Sequence, residues 1–365
     1  MKFKIRFPAG TTLLFLAGIH AACGETTTWP IEPVDEDHPI GNTMGEFIQG
    51  EEGAYQHEGI DILGKPYDQS TVTTPAPYVV LTAGGRVEAV VMNPEDRDNY
   101  IMIRSEDGRR RYVYAHLEAS TIPISLRLAI NGAMNQPGSW PELKAGTKLA
   151  QLTNLFPCGF NHVHYEVQQI NEDQSVTVLN PLLDIDPTQD LVDPEFVKIH
   201  LAQHDGTKWS EIEQNSDPAS CTVVSGKIDI VVEVMDRDDG VSNHQGLNIV
   251  GLHDVRWRAC KGLFCRWKKT HVFDAMPANW TIAGNQHTAR NFSTDDPWPS
   301  AFSYCGGAAG NRSFIVVTSF TEAGSWNTDN GEYDDDEYTV SVKAKDVVNN
   351  GVTGSIKVCV DNAAQ

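Results

Sequence analysis

Short apolar runs separated by turn residues dominate the chain from residue 41 to residue 184. Typical runs occupy residues 78–81, 86–91 and 112–115, and they are rich in β-branched and aromatic side chains. Runs of this length and composition favour strands over helices. Glycine-containing turns, such as the one at residues 144–146, separate the runs. This part of the chain is therefore predicted to be an antiparallel β-sheet domain.

A second β-rich region extends from residue 216 to residue 365. Apolar and polar side chains alternate at residues 227–234 and again at 338–344, and a period of two predicts half-buried strands. Several such strands with Asp, Asn and Gly turns predict an antiparallel β-sandwich.

A short helix is predicted within a linker that joins the two regions at residues 186–215. Asp193 suits the N-cap of this helix and Pro194 suits its first position. The expected fold is therefore mainly β: an antiparallel β-sheet domain over residues 40–185, a linker with a short helix, and a β-sandwich over residues 216–365.

Length, charge and hydropathy exclude several classes of protein. The 365 residues suit two domains. A net charge of −21, from 49 acidic and 28 basic residues, argues against a nucleic-acid partner because phosphate contacts need a clustered positive surface. Beyond the N-terminus no apolar run approaches the ~20 residues of a membrane span, which excludes a polytopic membrane protein.

The first 22 residues have the pattern of a secretory signal peptide. Three basic residues precede a short apolar core, and the small residues Ala21 and Ala22 come directly before Cys23. The Ala-Ala-Cys-Gly run resembles a bacterial lipoprotein cleavage site, in which the thiol of Cys23 carries the lipid anchor. The alternative is a plain secretory signal that is cut near Ala22. Residues 23–39, which are rich in Thr, Pro and acidic side chains, are predicted to form a flexible tether.

Two histidine patterns carry the candidate chemistry. His162 and His164 stand two residues apart in a predicted strand, so His162, His164 and Glu166 share one face of it. Two neighbouring imidazoles are costly to bury without a metal or hydrogen-bond partner. His57 and Asp61, four residues apart, add an imidazole and a carboxylate. These two residues and one of the paired histidines would supply the three ligands of a catalytic zinc site, and the other imidazole would move protons.

Together these patterns resemble the lysostaphin/LytM-type zinc peptidases, the beta-lytic metalloendopeptidase family. In chain order the matching motifs are HxxxD at residues 57–61, YxHL at residues 114–117, HxHxE at residues 162–166 and the Asn-Pro pair at residues 180–181. The resemblance covers about residues 40–184 and implies a zinc peptidase domain there. It implies one zinc ion held by His57, Asp61 and His164, and catalytic roles for His116 and His162. The residues do not decide which of these last two is the base, and we favour His162.

The resemblance also implies a function and a location. The family cleaves peptide cross-links of bacterial peptidoglycan, so the expected protein is an exported metalloendopeptidase of the periplasm or cell envelope that acts on peptidoglycan peptide stems. Secretion into the medium is the alternative location. The alternative functions are a non-catalytic envelope scaffold or amidase activator, and a zinc peptidase that acts on protein substrates.

Three further segments carry expectations. Residues 121–142 are inserted between the YxHL motif and the following glycine turn, and we expect them to form a wall of the cleft. The arginines at 109–111 are expected on the edge of a hairpin. Residues 342–362 resemble the last two strands of bacterial immunoglobulin-like domains.

The seven cysteines suggest disulfides in an exported protein. Cys260 and Cys265 flank a predicted turn between two strands, so we predict that they pair. Three pairings remain open among the cysteines at positions 158, 221, 305 and 359.

Overall fold

The structure is a computed structural model of the chain. It describes residues 27–38, 40–45, 47–50, 53–64, 76–93, 99–134, 136, 139–153, 161–186, 192–204, 209–215, 220–235, 253–262, 264–267, 271–272, 275–277, 313–320, 326–329, 331 and 333–363. Within these residues the chain is mainly β, and nearly all strand pairs are antiparallel, which confirms the predicted fold class.

The first part of the chain forms one large antiparallel sheet and two small ones. Its strands are β1 (Ile40–Asn42), β2 (Phe47–Gly50), β3 (Gly53–Gln56), β4 (Ile60–Leu63), β5 (Tyr78–Val80), β6 (Gly85–Val91), β7 (Tyr100–Ser105), β8 (Arg110–Ala115), β9 (Leu117–Glu118), β10 (Glu142–Leu143), β11 (Lys148–Leu152), β12 (His162–Ile170) and β13 (Val176–Leu179). The large sheet has the order β1-β4-β12-β8-β7-β6-β10, and β13 pairs with the far end of β12. The small sheets are β5-β11-β9 and the hairpin of β2 and β3.

Strand β12 lies in the interior of the large sheet. One of its faces packs into the core and the other is polar. Val163, Tyr165 and Val167 are buried in the core of this part of the chain. Because neighbouring side chains of a strand point to opposite faces, His164 and Glu166 lie on the other side, where they contact each other. The predicted division of this strand into an apolar and a polar face is confirmed.

Residues 27–38, which were predicted to belong to a flexible tether, pack onto this domain. Trp29 and Ile31 are buried in its core, and Ile31 forms a β-bridge with Val79. The prediction of a tether is therefore wrong for these residues, because a polar average composition concealed two large apolar side chains. The predicted signal peptide and Cys23 lie outside the described residues.

The inserted segment at residues 121–142 contains α1 (Ile124–Met134), and Leu126 and Ile130 of this helix pack into the core of the first part of the chain.

Short 3-10 turns are formed by Ala119–Thr121, Pro181–Leu183 and Val317–Phe320. In the part of the chain that the structure describes, no helix is long and apolar enough to cross a membrane.

The second part of the chain forms a β-sandwich. Its strands are β14 (Glu195–His204), β15 (Trp209–Glu211), β16 (Thr222–Val224), β17 (Lys227–Met235), β18 (Asp254–Lys261), β19 (Phe264–Trp267), β20 (His271–Val272), β21 (Ala275–Pro277), β22 (Ser313–Val316), β23 (Trp326–Asn327), β24 (Asp336–Lys345) and β25 (Gly351–Val360). One sheet has the order β15-β14-β17-β22 and the other β16-β25-β24-β18-β19. Ile230 and Val232 from the first sheet share a buried core with Val340 and Val342 from the second. Strand β21 instead pairs with β13 of the large sheet.

The prediction of a helix that begins at Asp193 is wrong. The residues concerned form β14, which pairs with β17 and buries Ile199 and Leu201 in the sandwich core. Asp193 does not cap a helix, since its Oδ1 accepts a hydrogen bond from the backbone N–H of Gly351 at 3.2 Å. Alternating apolar residues and long-range strand pairing outweigh the local capping signal.

Two disulfides stabilise the sandwich. Cys260 and Cys265 lie opposite each other on β18 and β19 with their Cα atoms 4.2 Å apart, which confirms the predicted pair. Cys221 pairs with Cys359 of β25, with a Cα separation of 5.4 Å. Outside the described residues lie Cys158 and Cys305.

The arginine run at residues 109–111 begins an interior strand. Arg110 and Arg111 belong to β8, which pairs with β7 on one side and β12 on the other. The predicted position at a hairpin edge is therefore wrong for these two residues. Each of them bonds to a carboxylate, Arg110 to Asp184 and Arg111 to Glu88, both at 2.8 Å.

Candidate metal centre

Three adjacent strands of the large sheet bring the predicted site residues together. Asp61 on β4 lies directly opposite His164 on β12. On the other side of β12, His164 faces Ala115, the last residue of β8. His57 lies in the loop before β4, and His116 directly follows Ala115. Residues that are far apart in the sequence thus meet because β12 pairs with β4 and β8.

Three atoms that can coordinate a metal lie within 3.1 Å of one another. Nε2 of His57 is 3.1 Å from Oδ1 of Asp61 and 2.9 Å from Nδ1 of His164. Nδ1 of His164 is 2.9 Å from Oδ1 of Asp61. A tetrahedral zinc site, with bonds of about 2.0–2.1 Å, separates its donor atoms by about 3.3 Å. These three residues therefore fit one zinc ion with only small movements.

Each imidazole of this cluster is fixed through its outer nitrogen. Nδ1 of His57 lies 3.1 Å from the backbone carbonyl oxygen of Thr43, to which it donates. Nε2 of His164 lies 2.9 Å from Oε1 of Glu166, and it donates because an ionised carboxylate only accepts. Metal-binding histidines typically use the outer N–H in this way and keep the inner lone pair for the metal. Both rings therefore have the orientation that a metal requires.

The second carboxylate oxygen of Asp61 also fits a metal. Oδ2 is buried and has no hydrogen-bond partner among the residues that the structure describes, and such an atom is costly unless a cation or donor satisfies it. Burial raises the pKa of Asp61, but electrostatic interactions with His57 and His162 and side-chain hydrogen bonds with His164 and His57 outweigh this effect. They hold the pKa of Asp61 well below its ordinary value, so the carboxylate is ionised, as a metal ligand has to be.

His164 faces carboxylates on two sides. Burial lowers its pKa, but hydrogen bonds with Asp61 and Glu166 outweigh burial and raise the pKa to about 10. The surroundings of His164 therefore favour a positive charge beside the imidazole, whether it is a proton or a metal ion.

His162 and His116 lie beside this cluster. Nε2 of His162 is 3.5 Å from Oδ1 of Asp61, and the His162 side chain is fully buried. The ring of His116 meets the ring of His162 edge to face at 4.6 Å and lies 6.2 Å from the ring of His164. The structure thus brings together all five residues that the sequence suggested as ligands or catalytic groups.

The backbone of His116 is in the left-handed region, with φ of 61°. This conformation is unfavourable for a residue other than glycine, and such residues concentrate at functional sites. It occurs where the chain leaves β8 and begins β9, so the strained residue is the one that carries an imidazole to the cluster.

Two contributors to the site were not among the predicted ligands and catalytic residues. Thr43 acts through its main chain, for which no side-chain pattern gives a signal. Gly59 lies so close to β12 that a Cβ atom on it would be 2.5 Å from the carbonyl oxygen of Tyr165 and 3.0 Å from Cε1 of His164. Its only sequence signal is a glycine between His57 and Asp61.

The solved structures to which the chain is similar include three of the bacterial peptidase lysostaphin. The catalytic domain of the antimicrobial peptidase lysostaphin from Staphylococcus simulans is 16% identical, with a TM-score of 0.26, and the match covers 40% of this chain and 90% of that one. A solution structure of lysostaphin is 11% identical over 80% of this chain and 91% of that one, with a TM-score of 0.30. A further structure of the same peptidase is 11% identical over 87% and 95%, with a TM-score of 0.29. No family model and no curated protein matches the chain.

Proposed function

We propose that the protein is an exported zinc metalloendopeptidase that hydrolyses peptide cross-links of bacterial peptidoglycan. The observation that carries this proposal is the buried cluster of His57, Asp61 and His164, whose inner donor atoms converge while the outer imidazole nitrogens are hydrogen-bonded. Two imidazoles and one carboxylate form a ligand set of catalytic zinc sites. The substrate class comes from the motif resemblance to the LytM-type peptidases.

A zinc ion held by these three residues would lower the pKa of a water molecule and polarise the scissile carbonyl. His162 accepts a proton at Nε2, the atom that lies near Oδ1 of Asp61. His116 donates a hydrogen bond to the substrate carbonyl oxygen, where negative charge develops. Glu166 and the Thr43 carbonyl keep the ligand rings in place.

Digestion of purified sacculi tests the activity and the metal together. The mature chain should release products whose masses show cleaved cross-links, a chelator should abolish this release, and added zinc should restore it. A chain that binds zinc and cleaves only protein substrates would contradict the peptidoglycan assignment. A chain that binds no zinc would support the non-catalytic scaffold instead.

Three variants test the proposed roles. His164→Ala should lose zinc, because it removes a ligand. His162→Ala and His116→Ala should keep zinc and lose about 10²–10⁴-fold in turnover, because they remove catalytic groups outside the ligand set. Zinc content and hydrolysis rate are measured on the same preparations. Loss of zinc from His162→Ala with retention in His164→Ala would reverse the assignment of the two residues.

Lipid anchoring through Cys23 belongs to the same proposal and is supported by the Ala-Ala-Cys-Gly run. Membrane fractionation should find the wild type in the membrane and Cys23→Ala in the soluble fraction. If both remain soluble and are cut at the same bond, plain secretion replaces the anchored form.

A further inference from the structure

A row of hydrogen bonds extends from the cluster of His57, Asp61 and His164 along the polar face of β12. Glu166 accepts through Oε1 from Nε2 of His164 at 2.9 Å and through Oε2 from Nε2 of Gln168 at 2.6 Å. These three residues alternate along one strand and therefore share a face. Arg111 on β8 lies directly opposite Gln168 and donates to its Oε1 at 3.3 Å.

Arg111 determines the orientation of the Gln168 amide. A guanidinium has donors only, so the amide oxygen must face Arg111 and the amide NH2 must face Glu166. Arg111 is itself held by Glu88, whose two carboxylate oxygens accept from Nε and from an Nη atom, each at 2.8 Å. Glu166 therefore has a donor on each side, and a carboxylate satisfies both.

The position of the ring proton on His164 depends on this arrangement. A neutral imidazole carries one proton, and the nitrogen that carries it cannot bind a metal. With Glu166 as acceptor, the proton stays on Nε2 and the lone pair stays on Nδ1. The side chains of His164 and Glu166 are only 16% and 14% exposed, so water is poorly placed to replace this bond.

We propose that Glu166 is a positioning residue, oriented by Gln168 and Arg111, that keeps the proton of His164 on Nε2 and directs the Nδ1 lone pair toward His57 and Asp61. This inference rests on the proposed function, since it takes Nδ1 to be a zinc-binding atom.

An exchange of the two side chains tests the direction of the hydrogen bonds. In Glu166→Gln, the new amide has one oxygen to accept with, but N–H groups of His164 and Gln168 face it on both sides. Its NH2 group would meet one of these donors, so one of the two hydrogen bonds is lost. Zinc affinity should fall by about 10–100-fold, as for other partners of metal-bound histidines. In the double variant E166Q/Q168E, the amide at 166 can accept from His164 and donate to the carboxylate at 168, which also accepts from Arg111. This exchange should restore most of the lost affinity.

A matched control keeps composition and net charge constant. E166Q/Q169E places the new carboxylate one residue further along β12, on the opposite face and exposed to solvent, where it cannot reach Arg111 or position 166. Its zinc affinity should stay as low as that of Glu166→Gln. The mature full-length chain is titrated with Zn²⁺ against a chromophoric chelator, and thermal unfolding of each variant is recorded in parallel.

Each result decides the inference. Wild-type affinity in Glu166→Gln would overturn it, and so would equal affinity in the two double variants, because position and hydrogen-bond direction would then be irrelevant. If Glu166→Gln does not fold, the comparison of the two double variants still decides. Absence of zinc binding by the wild type would overturn the proposed function and this role with it. Zinc binding that is unchanged in Glu166→Gln would overturn only the role of Glu166.

Discussion

Gly59→Ala should damage the proposed metal site although it changes none of the three proposed ligands. The new Cβ would lie 2.5 Å from the carbonyl oxygen of Tyr165, 2.9 Å from Cγ of Glu166 and 3.0 Å from Cε1 of His164. The first of these atoms is backbone of the interior strand β12 and cannot rotate away. The substitution therefore forces β4 and β12 apart at the position where Asp61 and His164 face each other.

The size of this displacement sets the expected effect. Ordinary Cβ contacts begin at 3.4 Å, so the carbonyl oxygen of Tyr165 must move by about 0.9 Å. A displacement near 1 Å at a reacting centre costs about 10²-fold in turnover. Overpacking of a buried position costs about 1–3 kcal/mol, which lowers the melting temperature by about 2–12 °C. Zinc affinity should fall as well, because the ligand cluster spans the two strands.

The assay compares hydrolysis rate, zinc affinity and thermal unfolding of Gly59→Ala with those of a control glycine. Gly132 lies in α1, and a Cβ atom on it would have no neighbour within 4 Å, so Gly132→Ala should keep wild-type activity and be slightly more stable. If Gly59→Ala binds zinc and turns over like the wild type, the close approach of the two strands does not position the proposed ligands.

Two further predictions concern stability. Because His116 has a left-handed backbone, His116→Gly should be more stable than His116→Ala by about 1 kcal/mol. Leu128 is an exposed position in the helix α1, and there Leu128→Ala should be more stable than Leu128→Gly by about 1 kcal/mol. Urea unfolding measures the stability of all four variants. If alanine is more stable than glycine at both positions, the backbone of His116 is not strained. Replacing Cys221 and Cys359 by serine should cost about 2–5 kcal/mol, because their disulfide closes a loop of 138 residues in the unfolded chain; an unchanged unfolding midpoint would contradict this.

The candidate site was predictable because its residues belong to short local patterns. Alternation along a strand is enough to place His162, His164 and Glu166 on one face, and the structure has them there on β12. The contact of His164 with Asp61 was not derivable from spacing, since it depends on the pairing of β12 with β4. The motif resemblance supplied this long-range information.

Long-range pairing also explains the features that local sequence patterns did not reveal. Asp193 and Pro194 form a local helix signal, but the residues that follow find a partner in β17, which lies about thirty positions further along the chain. The contact of Arg111 with Gln168 likewise depends on the register between β8 and β12. A single sequence contains no measure of such registers, so local propensity was the only guide and it was overridden.

The apolar face of β12 fixes the register of its polar face. Because the side-chain period of a strand is two, a shift by one residue would turn the face that carries His164 and Glu166 into the core. Tyr165 opposes such a shift: its ring is fully buried, and its hydroxyl bonds to Oγ1 of Thr82 at 3.0 Å, which also contacts the hydroxyl of Tyr114 at 2.9 Å. Tyr114 on β8 lies directly opposite Tyr165 in the sheet. This buried network therefore locks β8 and β12 in the one register that places His164 between Asp61 and the start of the His116 turn.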